Sequence, residues 1–157
     1  MLETVDLDAR LSKSEYQATQ PGLDAQLSGL QRALHDAGIA ALIVFEGWDA
    51  AGKGSVMNRL LQAFDPRGFK VYNTAPPTSE ERMRPPMRRF WLTLPNHGRI
   101  SIYNRSWYRQ VLDERVEDGL HPHGLASAFE RIRAFERQLT DDGVAIGARL
   151  RKARGRS

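Results

Sequence analysis

Gly47, Gly52 and Lys53 fit the spacing G-x-x-x-x-G-K inside the stretch VFEGWDAAGKGSV, residues 44–56. Such a turn suits one kind of chemistry. Phosphate oxygens need several N–H donors converging on a point, and a loop with little side-chain bulk supplies them where it closes onto a helix N-terminus. Gly47, Ala50, Ala51, Gly52, Lys53, Gly54 and Ser55 are the expected phosphate-binding residues, with Lys53 adding a mobile cation near the terminal phosphates. The Ser or Thr that usually follows the lysine and holds Mg²⁺ is Gly54 here, and Ser55 stands one place later. Asp49, inside the loop, is the alternative oxygen donor. A carboxylate among phosphates is repulsive unless a cation lies between them, so Asp49 argues for metal. Its plainer reading is an Asx hydrogen bond that ties the turn.

The elements around this loop are those the motif needs. Leu23, Leu27, Leu30 and Leu34 recur at helical spacing and predict a core-facing stripe, with Gly38 as the stop. IAALIVF (39–45) is a continuous apolar run, the pattern of a strand buried on both faces of a parallel sheet. After the glycine turn, Val56, Met57, Leu60, Leu61 and Phe64 line one side of a second helix. DPRG (65–68) reads as a turn and FKVY (69–72) as a short strand. Ser79 is the expected N-cap of a helical stretch that Pro85 and Pro86 must interrupt or restart. RISIY (99–103) alternates into a strand, and NRSWYRQVLDERVEDGL opens from a loop into a helix with Val111, Leu112 and Val116 apolar. HPHG (121–124) reads as a connector, Leu125 to Leu139 as a helix, and VAI (144–146) as a strand that starts and then dissolves. Strands alternating with helices predict a layered α/β fold with a mainly parallel sheet and right-handed crossovers.

Bulk properties narrow the function classes. The 157 residues fit one domain, here expected over 1–148 with a basic disordered tail over 149–157. There is no cysteine, hence no disulfide or thiolate metal site. No apolar run reaches the length of a membrane span and the N-terminus is polar and acidic, so the expectation is a cytoplasmic protein without membrane association. RLRKARGRS (149–157) carries five Lys/Arg, and removing those five charges from the net +4 leaves −1. Basicity is thus mostly a property of the tail, which argues against a nucleic-acid partner. The histidines, His35, His97, His121 and His123, have no spaced metal-ligating partners, and HPHG reads as a surface turn.

FEGWDAAGKGSV followed by NRSWY, together with LETVDL, DPRGFKVY, PPTSEERMRPPMRRFW and FERQLTDDGV, resembles the polyphosphate kinase 2 family over about residues 1–144. Within it, the likeness is to the N-terminal module of the tandem, AMP-using members. The resemblance implies a P-loop kinase-like fold and an enzyme that moves a terminal phosphoryl group between inorganic polyphosphate and an adenine nucleotide, AMP or ADP, with Mg²⁺ as cofactor. It implies catalytic roles for Asp49, Lys53 and Arg105, Lys53 and the loop backbone binding the transferred phosphate and Arg105 facing it. Asp49 and Asn104 become the metal positions, Asn104 standing where many members carry Asp. Pro77, Thr78, Glu80 and Arg82 fall near the acceptor nucleotide. A polyanion also needs a basic track, for which Arg82, Arg84, Arg88, Arg89, Arg105 and Arg109 are the candidates, although RMRPPMRR reads equally as a solvated helix face. Trp107 and Tyr108 are expected to pack rather than to stack on a base. Family likeness also suggests a homo-oligomer assembled through the helical layer.

The chain departs from the family pattern in two places. Asn104 is neutral, and its carbonyl oxygen would bind metal more weakly than a carboxylate. After TDDGV, AIGARLRKARGRS stands where the family continues through an apolar strand and an arginine-bearing lid. The expectation is therefore a sheet lacking its C-terminal strand and lid. The alternative function is an impaired or inactive fragment that binds polyphosphate or nucleotide, or acts as a dimerisation module.

Overall fold

The computed structural model describes residues 11–47, 52–109, 111 and 122–151. Strands β1 (Ala41–Gly47), β2 (Phe69–Asn73), β3 (Ile100–Asn104) and β4 (Ala145–Arg151) form one sheet in the order β2-β3-β1-β4. Every pairing is parallel. Parallel strands need crossovers, and these cover both faces. Helices α1 (Lys13–Asp36) and α2 (Lys53–Ala63) lie on one face, where Met57, Phe64 and Leu27 pack against Ala41, Phe45, Ile100 and Ile102. Helix α5 (Pro122–Asp141) covers the other, setting Ala128, Ile132, Phe135 and Leu139 against Leu42, Val44 and Tyr103. Between β2 and β3 lie two single-turn helices, α3 (Ser79–Arg82) and α4 (Arg88–Trp91).

This topology has a mechanical consequence. The chain leaves β1 over the α2 face toward β2, and leaves β3 over the α5 face toward β4. The neighbours β1 and β3 therefore send their connections in opposite directions. A crevice opens outside their C-terminal ends, the usual ligand position in open α/β sheets.

Several elements differ from the sequence expectation. Helix α1 begins at Lys13, well before Leu23, because Ser12 and Glu15 form a reciprocal capping box: Ser12 Oγ accepts from Glu15 N (3.2 Å) and Glu15 Oε2 from Ser12 N (2.9 Å). The leucine stripe is only half core-facing. Leu27 and Leu34 pack on the sheet side, whereas Leu23 and Leu30 are 55% and 57% exposed. Polar contacts set this rotation. Asp24 pairs with Arg59, Ser28 Oγ donates to Ala63 O (2.6 Å), and Gln31 exchanges two hydrogen bonds with the Asp65 backbone (2.7 and 3.0 Å). Helix α2 buries its predicted side, and Gly38, at φ 65°, ends α1 as expected.

Thr78, not Ser79, caps α3, since Glu81 three residues later closes a second capping box. Pro85 and Pro86 do break the helical stretch, which restarts as α4. Three residues of HPHG belong to the first turn of α5 rather than to a connector, a place where proline is favoured. Leu112, Val116 and His121 lie outside the described residues.

The largest correction concerns β4. It does not dissolve after Ile146 but pairs with β1 through Arg151, in register Phe45↔Arg149 and Gly47↔Arg151. The sheet thus has a C-terminal strand, and the tail boundary expected at 149 falls inside it. Pairing uses backbone N–H and C=O groups that β1 would otherwise leave unsatisfied, whatever side chains the partner carries.

Candidate functional site

Gly47 and Gly52 have φ values of 131° and 73°, so both ends of the predicted loop need conformations that a Cβ makes costly. Gly52 is the N-cap of α2, whose first turn holds Lys53, Gly54 and Ser55. Trp48 to Ala51, including the predicted residues Asp49, Ala50 and Ala51, lie outside the described residues. Lys53 is 8% exposed and its Nζ donates to Gly47 O at 2.6 Å. The side chain folds back along the turn, placing its charge at the C-terminal end of β1, where the amides of an eleven-residue helix also begin.

Asn104 ends β3 beside this point and Arg105 follows it directly, with Phe45 and Asn104 in register. The three strand ends are stitched together there. Thr74 N donates to Asn104 O (3.1 Å), Arg105 N to Phe45 O (2.9 Å), and Asn104 Nδ2 to Asn73 Oδ1 (3.0 Å). Arg105 is, among the described residues, the one non-glycine residue in the left-handed region, at φ 64°. Sequence reasoning missed Glu46. It is 3% exposed, and its Oε2 accepts from Ser106 N (2.9 Å) and Ser106 Oγ (3.0 Å). Burial pushes its carboxyl above the usual range, opposed by the Ser106 hydrogen bonds, the Gly47 amide and the charge of Arg105. An acid at the end of an otherwise apolar strand was the available signal.

Next to these strand ends is a cavity of about 400 Å³. Its arginines are Arg82, Arg84, Arg88, Arg89 and Arg109. All but Arg105 of the six predicted track residues therefore line one space, while Arg82, Arg84 and Arg88 also stay exposed to solvent. Pro77 lines the cavity as well, whereas Thr78 and Glu80 do not. Thr78 caps α3, and Glu80 pairs with Arg84 at 3.3 Å. Glu81 and Ser106 line the cavity without having been predicted, and Glu81 holds Arg89 at 3.5 Å. Arg109 Nη1 donates to Thr74 O at 3.2 Å, fixing one wall. Pro76, Pro85, Pro86, Phe90, Leu92 and Trp107 also line the cavity.

Trp107 and Tyr108 pack, as expected. Trp107 is 1% exposed, meets Phe90 and Phe135 edge-on at 5.5 and 5.0 Å, and donates to Glu136 Oε1 at 2.9 Å. Tyr108 OH donates to the same oxygen, and burial with that carboxylate pushes its pKa up. For a metal, the described residues hold no cluster of three His, Cys, Asp or Glu. Asn104 offers a hard carbonyl oxygen while its amide nitrogen is engaged by Asn73. That donor suits Mg²⁺, which takes few protein oxygens and completes its shell with water and phosphate.

The chain is 41% identical over 146 residues to the polyphosphate:AMP phosphotransferase of Pseudomonas syringae pv. tomato, covering 93% of this chain and 29% of that protein. It is 33% identical to NDP-polyphosphate phosphotransferase 3 of Ruegeria pomeroyi, over 91% of this chain and 48% of the relative. The chain thus spans less than half of either protein. A crystal structure of polyphosphate kinase 2 from Arthrobacter aurescens superposes with a TM-score of 0.84 at 28% identity, over 93% of this chain and 55% of that one. The family model described as Polyphosphate kinase 2 (PPK2) matches residues 10–148, and the chain belongs to that family.

Proposed function

We propose that this chain moves a terminal phosphoryl group between inorganic polyphosphate and a nucleoside mono- or diphosphate, AMP or ADP. The observation that carries the reading is the convergence of Lys53, the N-terminus of α2 and Arg105 at the β1–β3 crevice, beside a cavity walled by arginines. In the transfer, an oxygen of the acceptor nucleotide forms a bond to the terminal phosphorus of the polyphosphate. The bridging P–O bond behind it breaks, and the chain leaves one unit shorter. Such a reaction asks a protein for positioning and charge neutralisation rather than covalent work. Lys53 and the α2 amides hold the transferred group, and Arg105 faces its equatorial oxygens. The arginines of the cavity hold the polyanion or the nucleotide phosphates, with Phe90, Leu92 and Trp107 supplying apolar wall. Asn104, with Asp49, would hold Mg²⁺, which when bound neutralises phosphate charge.

The test is the purified chain incubated with polyphosphate, AMP or ADP, and Mg²⁺, with products separated by ion-exchange chromatography. ADP or ATP forms with the wild type and is lost in Lys53→Ala. Equal background in both would refute transfer. A second reading is a module that binds polyphosphate or nucleotide without turning it over, the cavity arginines supplying the affinity. Retained polyphosphate affinity without product would select it.

A further inference from the structure

We propose that Glu46 is a positioning residue that holds Arg105 at the mouth of the site by gripping the residue after it. The inference rests on the phosphotransfer reading for what Arg105 does, but not for how it is held. Arg105 sits at φ 64°, where an L-residue persists only if its surroundings impose the conformation. Two contacts do so. On entry, Arg105 N donates to Phe45 O at 2.9 Å; on exit, Ser106 donates both its N–H and its Oγ–H to Glu46 Oε2, at 2.9 and 3.0 Å. Phe45 and Glu46 are consecutive in β1, so one strand end clamps the backbone on both sides of Arg105. Glu46 also abuts Gly47, whose amide acts on its carboxyl. It thereby ties the start of the phosphate loop to the arginine across the crevice.

The residue type supports function over packing. Alternation along β1 puts Glu46 on the same face as Leu42 and Val44, which are fully buried in the aromatic cluster around Trp107. A strand serving stability alone would continue with an aliphatic side chain, because a buried carboxylate is costly and must be satisfied by fixed donors. Ser106, 1% exposed, is the donor that satisfies it. A carboxylate accepting two bonds from a single residue fixes the path of the chain there, which an apolar contact does not.

The full chain as Glu46→Ala, Glu46→Gln and Ser106→Ala tests this through two readouts. The first is amide hydrogen exchange by NMR. In Glu46→Ala, Ser106 exchange should accelerate about tenfold or more relative to Leu42 and Val44, which report global opening. The second is steady-state transfer from polyphosphate to AMP. Glu46→Ala should lower kcat roughly 10- to 100-fold with KM changed less than about threefold, as misplacing a reacting group does. Glu46→Gln keeps an oxygen acceptor and should restore both readouts to within about threefold of wild type. Unchanged Ser106 exchange in Glu46→Ala, or acceleration matched at Leu42 and Val44, would overturn the proposal. So would a Gln variant as impaired as Ala. Should Glu46→Ala fail to fold, the Gln variant must outperform Ser106→Ala in kcat, and the reverse order rejects the idea. A wild type without transfer would refute the phosphotransfer reading, and exchange would then decide the role of Glu46 alone.

Discussion

Replacing Lys53 by Met separates binding from stability with opposite signs. Met has nearly the length of Lys and removes only the charge and its hydrogen bonds. In the free protein two effects compete. Losing the 2.6 Å bond to Gly47 O costs about 1.5–3 kcal/mol, as hydrogen bonds to charged groups do. Against this, Lys53 is 8% exposed, and holding a charge out of water costs several kcal/mol before compensation. The two are of similar size, so the melting temperature should stay within about 4 °C of wild type or rise, a change of about 1 kcal/mol being worth roughly 2–4 °C in a domain this large. Binding has no such cancellation. A phosphate oxygen that loses its charged partner loses about 1.5–3 kcal/mol, which at about 1.4 kcal/mol per decade weakens affinity roughly 10- to 100-fold. Calorimetric titration with tripolyphosphate, beside thermal unfolding followed by circular dichroism, measures both. An affinity within twofold of wild type would show that backbone amides alone hold the anion. A melting temperature lower by more than about 8 °C would make Lys53 part of the scaffold and refute the assignment.

Trp107→Ala should destabilise the chain by about 3–5 kcal/mol, through the cavity it opens among Phe90, Tyr103 and Phe135, read as a lower urea midpoint at constant m-value. Trp107→Phe, which loses the bond to Glu136 but keeps most of the packing, should cost clearly less. Asp65 predicts an acid limb: Arg67 holds its carboxyl down to about 2 from 3.8. A depressed folded value means stability that is fully present above about pH 4 and is lost as pH falls toward 2, because the unfolded chain then takes up the proton first. Asp65→Asn should flatten that part of the stability-against-pH curve by lowering the neutral region toward the acid level, with the acid end nearly unchanged.

Local signals made much of the chain legible. The run IAALIVF reads as a strand covered on both faces and forms one from Ala41 onward, and the glycines at 47 and 52 stand where backbone conformation requires them. Helix α2 carries its apolar side at the predicted residues, and Arg82, Arg84, Arg88, Arg89 and Arg109 share one cavity. Other features depend on partners distant in sequence. The rotation of α1 comes from Asp24, Ser28 and Gln31 meeting Arg59, Ala63 and Asp65, so the leucine spacing alone pointed the wrong half of its stripe inward. The extent of β4 depends on the free edge of β1, whose backbone groups pair regardless of the arginines opposite. The strand order β2-β3-β1-β4 decides that the crevice opens between β1 and β3, which brings Arg105 to Lys53. Glu46 acquires its meaning only when Ser106, sixty residues away, folds beneath it. Periodicity and turn chemistry are properties of neighbouring residues and can be read along the chain. Strand order, helix rotation and the satisfaction of a buried charge exist only once distant segments have met.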